Sequence, residues 1–362
     1  MAPWLDTLPQ LEEFVARIGE AKRLALDTEF LRERTYWPQL ALVQMTAAGQ
    51  MALVDPLAVR EAAPWRQLLA APRLCLMHAP GEDLECLRHH YGVLPERLFD
   101  TQLAAAFAGA GHGLGYQALV AQLLGIQLDK GETRSDWMQR PLSAAQCAYA
   151  AADVIHLDAL ADMLLERIEQ RGRREWFEAD CARMLAAAAQ PGEDPWPHLG
   201  MRVSARLPAI AQARLCVILR WREQEARRAD RPRGWVLDNE TSVRLAEAPP
   251  GVRSVHEQIF ANARSAARRA REALWELLAE PPADLPLARV LSDAERRIVT
   301  RLQQEVARCA AEVELPEALL LARRQIEHLV QTGHWPSSHQ GWRQALLEPR
   351  LRALINAPAS SQ

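Results

Sequence analysis

Asp27 and Glu29 stand two residues apart in Leu24-Ala25-Leu26-Asp27-Thr28-Glu29-Phe30, a short apolar run of β character. A strand has a period of two, so both carboxylates leave one face while Leu24 and Leu26 leave the other. Two like charges about 4 Å apart cost roughly 1 kcal/mol in water, and more where water is excluded. A cation turns that cost into attraction. The pair is therefore either part of a cation site or the acidic surface of an exposed strand.

Two later segments bear on that choice. His78-Ala79-Pro80-Gly81-Glu82-Asp83-Leu84-Glu85 follows Arg73-Leu74-Cys75-Leu76-Met77, which has the composition of a buried strand. Pro80-Gly81 marks a turn, and acids crowd the first turn of the helix that follows. The helix dipole accounts for Glu82 and Glu85, but it does not prevent Asp83 from pointing back over the sheet. The third segment, Gln146-Cys147-Ala148-Tyr149-Ala150-Ala151-Ala152-Asp153-Val154-Ile155, is a strong helix former. Tyr149 and Asp153 are four residues apart, so they share a helix face one turn apart. The alanines between them let another element or a ligand come close.

Together these segments resemble the DEDD exonuclease superfamily, with Asp27 and Glu29 in its first motif, Asp83 in its second and Asp153 in its third. Tyr149, four residues before the last acid, matches the tyrosine subtype. The histidine subtype expects His near position 148, which is Ala here. The resemblance narrows to the ribonuclease D family through two runs. They are Thr35-Tyr36-Trp37-Pro38-Gln39-Leu40-Ala41-Leu42-Val43-Gln44 and Leu128-Asp129-Lys130-Gly131-Glu132-Thr133-Arg134-Ser135-Asp136-Trp137-Met138-Gln139-Arg140-Pro141-Leu142. It is close over residues 4–170 and looser beyond. It implies a metal-dependent 3′→5′ exoribonuclease that removes mononucleotides, with transfer-RNA precursors as the expected substrate. It also implies two Mg²⁺ or Mn²⁺ ions held by Asp27, Glu29, Asp83 and Asp153, with Tyr149 orienting the attacking water. Hard cations prefer such oxygen ligands, and a metal pair about 3.5–4 Å apart can serve both the attacking and the leaving oxygen. A free tyrosine has a pKa of about 10, which suits positioning better than proton abstraction.

Elements must carry these residues. Leu24–Asp27, Leu40–Met45, Met51–Val54 and Leu74–Met77 are expected strands. Helices are expected over 58–69, 83–90, 114–124 and 143–171. This is a mixed α/β pattern, and the resemblance implies a ribonuclease-H-like exonuclease domain over residues 1–190. Three prolines between Pro191 and Pro197 mark a linker, residues 191–203. Beyond it the chain is helical. Residues 204–283 and, more divergently, 290–357 resemble paired all-α HRDC modules, which bind nucleic acid or brace a neighbouring domain.

The net charge of −3 conceals an asymmetry. Residues 1–195 carry 18 basic against 27 acidic side chains, and residues 196–362 carry 25 against 19. The first part concentrates acids for metal, and the second offers positive charge to a polyanion. No apolar run approaches the roughly 18 residues of a membrane span. The six scattered cysteines read as reduced thiols of a cytoplasmic protein, and the family leads us to expect a monomer. There is no phosphate-loop motif of an ATP-driven helicase.

Other residues keep two readings. Lys130, Arg134 and Arg140 either contact phosphate or pair with Asp129, Glu132 and Asp136. Tyr36 and Trp37 are expected to stack on terminal bases, and Trp37, next to Pro38, is equally suited to a core. His78 is expected to be structural, and Asp100 structural or supportive of the site. Two other functions share this sequence pattern: a DNA exonuclease on the same scaffold, and a non-catalytic RNA-binding scaffold. The complete set of four acids and Tyr149 argues against the latter.

Overall fold

The computed structural model describes residues 2–356 apart from Ala71, Lys130, Pro191, Pro250, Glu280 and Ala283. Lys130 of the basic loop and Pro191 of the linker thus lie outside the described residues.

The chain opens with β1 (Trp4–Leu5), α1 (Leu8–Ile18), β2 (Arg23–Leu31), β3 (Gln39–Ala47), β4 (Gln50–Val54) and α2 (Ala62–Leu69). There follow β5 (Leu74–Met77), α3 (Gly81–Tyr91), β6 (Arg97–Asp100), α4 (Thr101–Phe107), α5 (Tyr116–Leu124), α6 (Ala144–Ile155), α7 (Leu157–Gln170) and α8 (Arg174–Ala189). The six strands form one sheet in the order β1-β4-β3-β2-β5-β6. β4 runs antiparallel to β3 and parallel to β1. β5 runs parallel to both β2 and β6. This is the mixed sheet with flanking helices that the sequence implied. Leu24, Ala25 and Leu26 are wholly buried, so β2 is an interior strand rather than an acid-bearing edge.

β2 extends through both acids and on to Leu31, further than its apolar residues suggest. β1 and β6 were not anticipated. One is two residues long and the other begins in charged sequence. The long helix expected over 143–171 is two helices, α6 and α7, meeting at His156.

Two short 3₁₀ turns, Pro197–Gly200 and Arg202–Arg206, lead into α9 (Ala209–Ala229), α10 (Arg233–Val236), α11 (Asn239–Glu247), α12 (Arg253–Ala261), α13 (Ser265–Arg269) and α14 (Arg271–Ala279). The last helices are α15 (Asp293–Glu312), α16 (Glu317–Leu320), α17 (Arg323–Thr332) and α18 (Trp342–Asn356). No helix among the described residues is long and apolar enough to cross a membrane.

The chain divides into two compact units, and the division differs from the one expected. One comprises residues up to Phe30, Leu40–Ala189 and Leu291 onward; the other comprises Leu31–Gln39 and Gln190–Val290. The block expected as a separate module at 290–357 thus belongs with the exonuclease. Its apolar residues Val299, Leu302, Leu320, Leu347 and Leu351 join the same core as Phe107 and Phe177. Polar contacts reinforce this. Arg343 grips the buried Asp180 through two hydrogen bonds of 2.5 Å. Trp342 stacks on Trp176 with ring centroids 4.6 Å apart. Arg173 donates to the carbonyls of Phe107 and Val313.

In the second unit, α9 packs on α10, α11 and α14. Leu215, Ile218, Leu245, Phe260 and Leu274 form its core. Tyr36 belongs here. It is 5% exposed and packs with Ala226 and Val236. Its hydroxyl donates to Glu223 at 2.5 Å and accepts from Arg227 and Arg233 at 3.0 and 3.1 Å. The base-stacking role expected for Tyr36 is therefore corrected: the ring is part of a core. A ring so buried and so fully hydrogen-bonded presents no face to a base.

Candidate active site

The site is assembled by β2, the start of α3 and the middle of α6. β2 places Asp27 and Glu29 on one face, as its period requires. α6 begins at a capping box, where Ser143 and Gln146 bond each other's backbone N–H groups at 3.1 and 2.9 Å. It ends at His156, where Tyr116 supports it from outside. The Tyr116 hydroxyl donates to the Ala152 carbonyl at 3.1 Å and accepts from the His156 N–H at 3.3 Å. Between these ends sit Tyr149 and Asp153.

Carboxylate oxygens of Asp27, Glu29 and Asp153 lie within 4.8 Å of one another. Asp83 stands outside that tight group. It is 8% exposed and accepts a 2.5 Å hydrogen bond from the Thr28 hydroxyl. Its charge nonetheless acts on Asp27 and Glu29. The turn that aims it is held from below. Ala79 is left-handed at φ 53°, and its N–H donates to Asp100 at 2.8 Å. Asp100 also caps α4 by accepting from the Gln102 N–H. It is therefore the structural support that one of its readings proposed.

Electrostatics follow from burial and crowding. Burial, then the charges of Asp83, Asp153 and Glu29, hold Asp27 well above the ordinary carboxylate range. Glu29 is pushed up to about 8 by burial and by Asp153 and Asp83. Burial raises Asp153 to about 7, against the lowering effect of its hydrogen bond with Tyr149. Burial raises Asp83 to about 6, with the Thr28 hydroxyl opposing. Acids raised this far by burial and by one another are short of positive charge. This fits the donor set of a hard divalent cation, which would replace the protons.

Tyr149 lies 3.3 Å from the Thr133 hydroxyl and packs beside Trp137. Burial first, with the neighbouring acids adding to it, raises its own pKa to about 12. It therefore keeps its proton and can only donate or orient. His78 is structural, as expected. Its ring nitrogens meet Thr101 at 2.9 Å and the Leu114 carbonyl at 3.1 Å. Burial lowers it to about 4, so the ring is neutral.

Arg140 departs from both readings of the basic loop. It forms a two-pronged pair with Asp55, Nε and Nη2 each donating at 2.7 Å. It also donates to the carbonyls of Trp137, Gln139 and Ala41. All five guanidinium N–H groups are used within the fold, so none remains for phosphate. Arg134 is exposed. Three supporting residues escaped the sequence argument: Thr28, Tyr116 and Gln44, whose Nε2 donates to Asp27 at 3.0 Å. Gln44 had a signal, as a polar residue inside the apolar strand run Leu40–Met45.

The sheet topology, the acids gathered from an interior strand and two helices, and the tyrosine one turn from the last acid are those of a 3′→5′ exonuclease. A family model described as 3′-5′ exonuclease matches residues 3–169. The chain is 44% identical over 361 residues to ribonuclease D of Xanthomonas oryzae pv. oryzae, covering 99% of each. It is 36% identical to that of Gluconacetobacter diazotrophicus, covering 97% of this chain and 92% of the relative. The crystal structure of Escherichia coli RNase D, described as an exoribonuclease involved in structured RNA processing, matches with a TM-score of 0.86 at 28% identity over 98% of both chains. A protein from Bifidobacterium adolescentis shares the fold at TM-score 0.68 and 20% identity. The chain belongs to the ribonuclease D family and is a 3′→5′ exoribonuclease.

Proposed function

We propose that this exoribonuclease trims the 3′ trailers of transfer-RNA precursors with two divalent cations, Mg²⁺ or Mn²⁺, held by Asp27, Glu29, Asp83 and Asp153. The observation that carries the reading is the approach of three half-buried carboxylates to within 4.8 Å of one another. When bound, the cations would supply Lewis-acid activation of water and charge neutralisation at the leaving oxygen.

The protein's own groups do the positioning. β2 holds Asp27 and Glu29 in register, and Gln44 fixes one oxygen of Asp27. Thr28 orients Asp83. Tyr149 stays protonated and, braced by Thr133, directs its hydroxyl at the nucleophilic water. Each contact removes freedom from a group that must be aimed before reaction. No covalent intermediate is needed. Residues 204–283 are read as an HRDC-like module that holds RNA. The same reading has the enzyme act as a monomer in the cytoplasm, where free thiols such as its six cysteines persist.

The test uses a 5′-labelled transfer-RNA precursor with a short 3′ trailer, beside DNA of matching sequence. Wild type and Asp153→Ala are compared in Mg²⁺, Mn²⁺ and chelator. The expected result is a metal-dependent ladder shortening from the RNA 3′ end, absent in the variant. Equal digestion of DNA would move the substrate assignment, and a ladder in chelator would overturn the metal assignment.

A further inference from the structure

The stretch from Ala144 to Gln170 has the composition of one helix, with no glycine or proline to interrupt it. The fold breaks it nonetheless at His156, where φ is −102° and ψ is −1°, against a helical norm of about −63° and −42°. A helix free of glycine and proline is broken where a side chain inserts into its hydrogen-bond ladder, and here that side chain is Tyr116. In an unbroken helix the Ala152 carbonyl would accept from the His156 N–H, four residues on. The Tyr116 hydroxyl stands between them instead. It donates to the Ala152 carbonyl at 3.1 Å and accepts from the His156 N–H at 3.3 Å. The split bond encloses Asp153, Val154 and Ile155. The opened turn is therefore the one that carries the last acid of the cluster.

The hydroxyl is delivered by a supported loop. Gly111, at φ 144°, lets the chain before α5 fold onto Leu114, whose Cδ1 would lie 2.7 Å from a β-carbon at that position. The Leu114 carbonyl accepts from the Gln102 amide at 3.0 Å and meets His78 Nε2 at 3.1 Å. Tyr116 opens α5 two residues later, its ring edge-on to His78 with centroids 5.7 Å apart. Burial, with the charges of Asp153 and Asp27 adding to it, raises the Tyr116 pKa, so the hydroxyl keeps the proton it donates.

Resting on the divalent-metal reading of the acid cluster, we propose that Tyr116 is a positioning residue: its hydroxyl holds open the helical turn that carries Asp153 and so brings that carboxylate to Asp27 and Glu29. Without the hydroxyl, the Ala152 carbonyl and the His156 N–H would close on each other. The turn would wind in and take Asp153 with it. His78 shares in the device through Leu114, which ties the segment before Asp83 to the helix that bears Asp153.

The test measures Mn²⁺ binding to the full chain without RNA, by titration calorimetry and by the electron paramagnetic resonance of the free ion. Tyr116→Phe should weaken binding about 10- to 100-fold, as loss of a group that orients metal ligands does. Its His156 amide should exchange with deuterium more slowly, because a direct backbone bond replaces a long bond to a hydroxyl. In Mg²⁺, kcat should fall while KM for RNA stays unchanged. Adding His156→Pro to Tyr116→Phe should restore most of the Mn²⁺ affinity. Proline has no N–H to close the turn, and its ring pushes away the carbonyl four residues back. Misfolding cannot produce such a rescue.

Unchanged Mn²⁺ affinity in Tyr116→Phe, with wild type binding the ion, would overturn the positioning role. Weaker binding with unaltered or faster exchange at His156 would also overturn it, since that would report a general loosening rather than a closed turn. A wild type that binds no Mn²⁺ would instead overturn the metal reading, and exchange at His156 would still decide whether Tyr116 holds the turn open.

Discussion

Glu29→Gln should make the metal-free protein more stable while destroying its activity. Burial, then the charges of Asp153 and Asp83, pushes Glu29 up to about 8 from an ordinary 4.5. Its folded value is raised, so the folded state holds the proton more tightly than the unfolded state. That advantage is fully present below about pH 4.5 and is lost as pH climbs through about 8. At about 1.4 kcal/mol per pH unit the gap corresponds to about 5 kcal/mol at pH 8. Asp153 carries a similar burden, rising from 3.8 to about 7. The two costs overlap, because each acid is raised partly by its neighbours' charges. Glutamine keeps the shape and removes one charge, so a gain of a few kcal/mol is expected. For a unit of this size each kcal/mol moves Tm by about 2–4 °C, so the expected rise is about 5–10 °C at pH 8 in chelator. At pH 5 the two proteins should melt nearly together. Thermal melts followed by circular dichroism from pH 5 to pH 8.5 give the comparison. Repeating them in excess Mn²⁺ should reverse the order at pH 8, because the cation stabilises only the intact site. A wild-type Tm that is flat across this range in chelator, or a variant no more stable at pH 8, would refute the account of the acid cluster.

Tyr149→Phe should lower kcat about 10- to 100-fold with little change in KM, and a bell-shaped pH profile losing a limb near neutrality would contradict the positioning role. Thr28→Val removes the hydroxyl that bonds Asp83; a loss of about 1–3 kcal/mol and a higher Mg²⁺ requirement should appear in melts and metal titrations. Arg140→Ala leaves the buried Asp55 without its partner and should cost about 3–5 kcal/mol. Its affinity for RNA in chelator should match wild type, whereas a binding loss in a fully folded variant would restore the phosphate-contact reading. Asp27→Asn should abolish cleavage and spare RNA binding, as a gel-shift assay beside the ladder would show.

Much of the site was legible because its residues obey short-range rules. The period of a strand put Asp27 and Glu29 on one face, and the period of a helix put Tyr149 and Asp153 on another. Asp83 followed from a turn signal and a first helical turn. Tyr36 and Arg140 show where such reasoning stops. An aromatic or an arginine near a site is equally suited to substrate and to core, and only long-range partners decide. For Tyr36 those partners lie at positions 223, 227 and 233, and for Arg140 at Asp55 and the Ala41 carbonyl. β1 and β6 were missed because a two-residue strand and a strand opening on Arg97 carry almost no pattern of their own. The assignment of residues 291–356 to the exonuclease unit depends on a shared core, which no linear spacing reveals.

That last arrangement bears on the order in which the molecule is made. Asp180 is synthesised well before Arg343, and for all the time between them it must enter the core without its guanidinium. Stranding one member of a buried pair costs about 3–5 kcal/mol, a large share of a typical domain's stability. A chain halted on the ribosome before Arg343 is therefore a poorly folded nuclease. An RNA-degrading enzyme is translated within reach of its own messenger, and here the acids of the site are finished early while the helix that secures their unit arrives late.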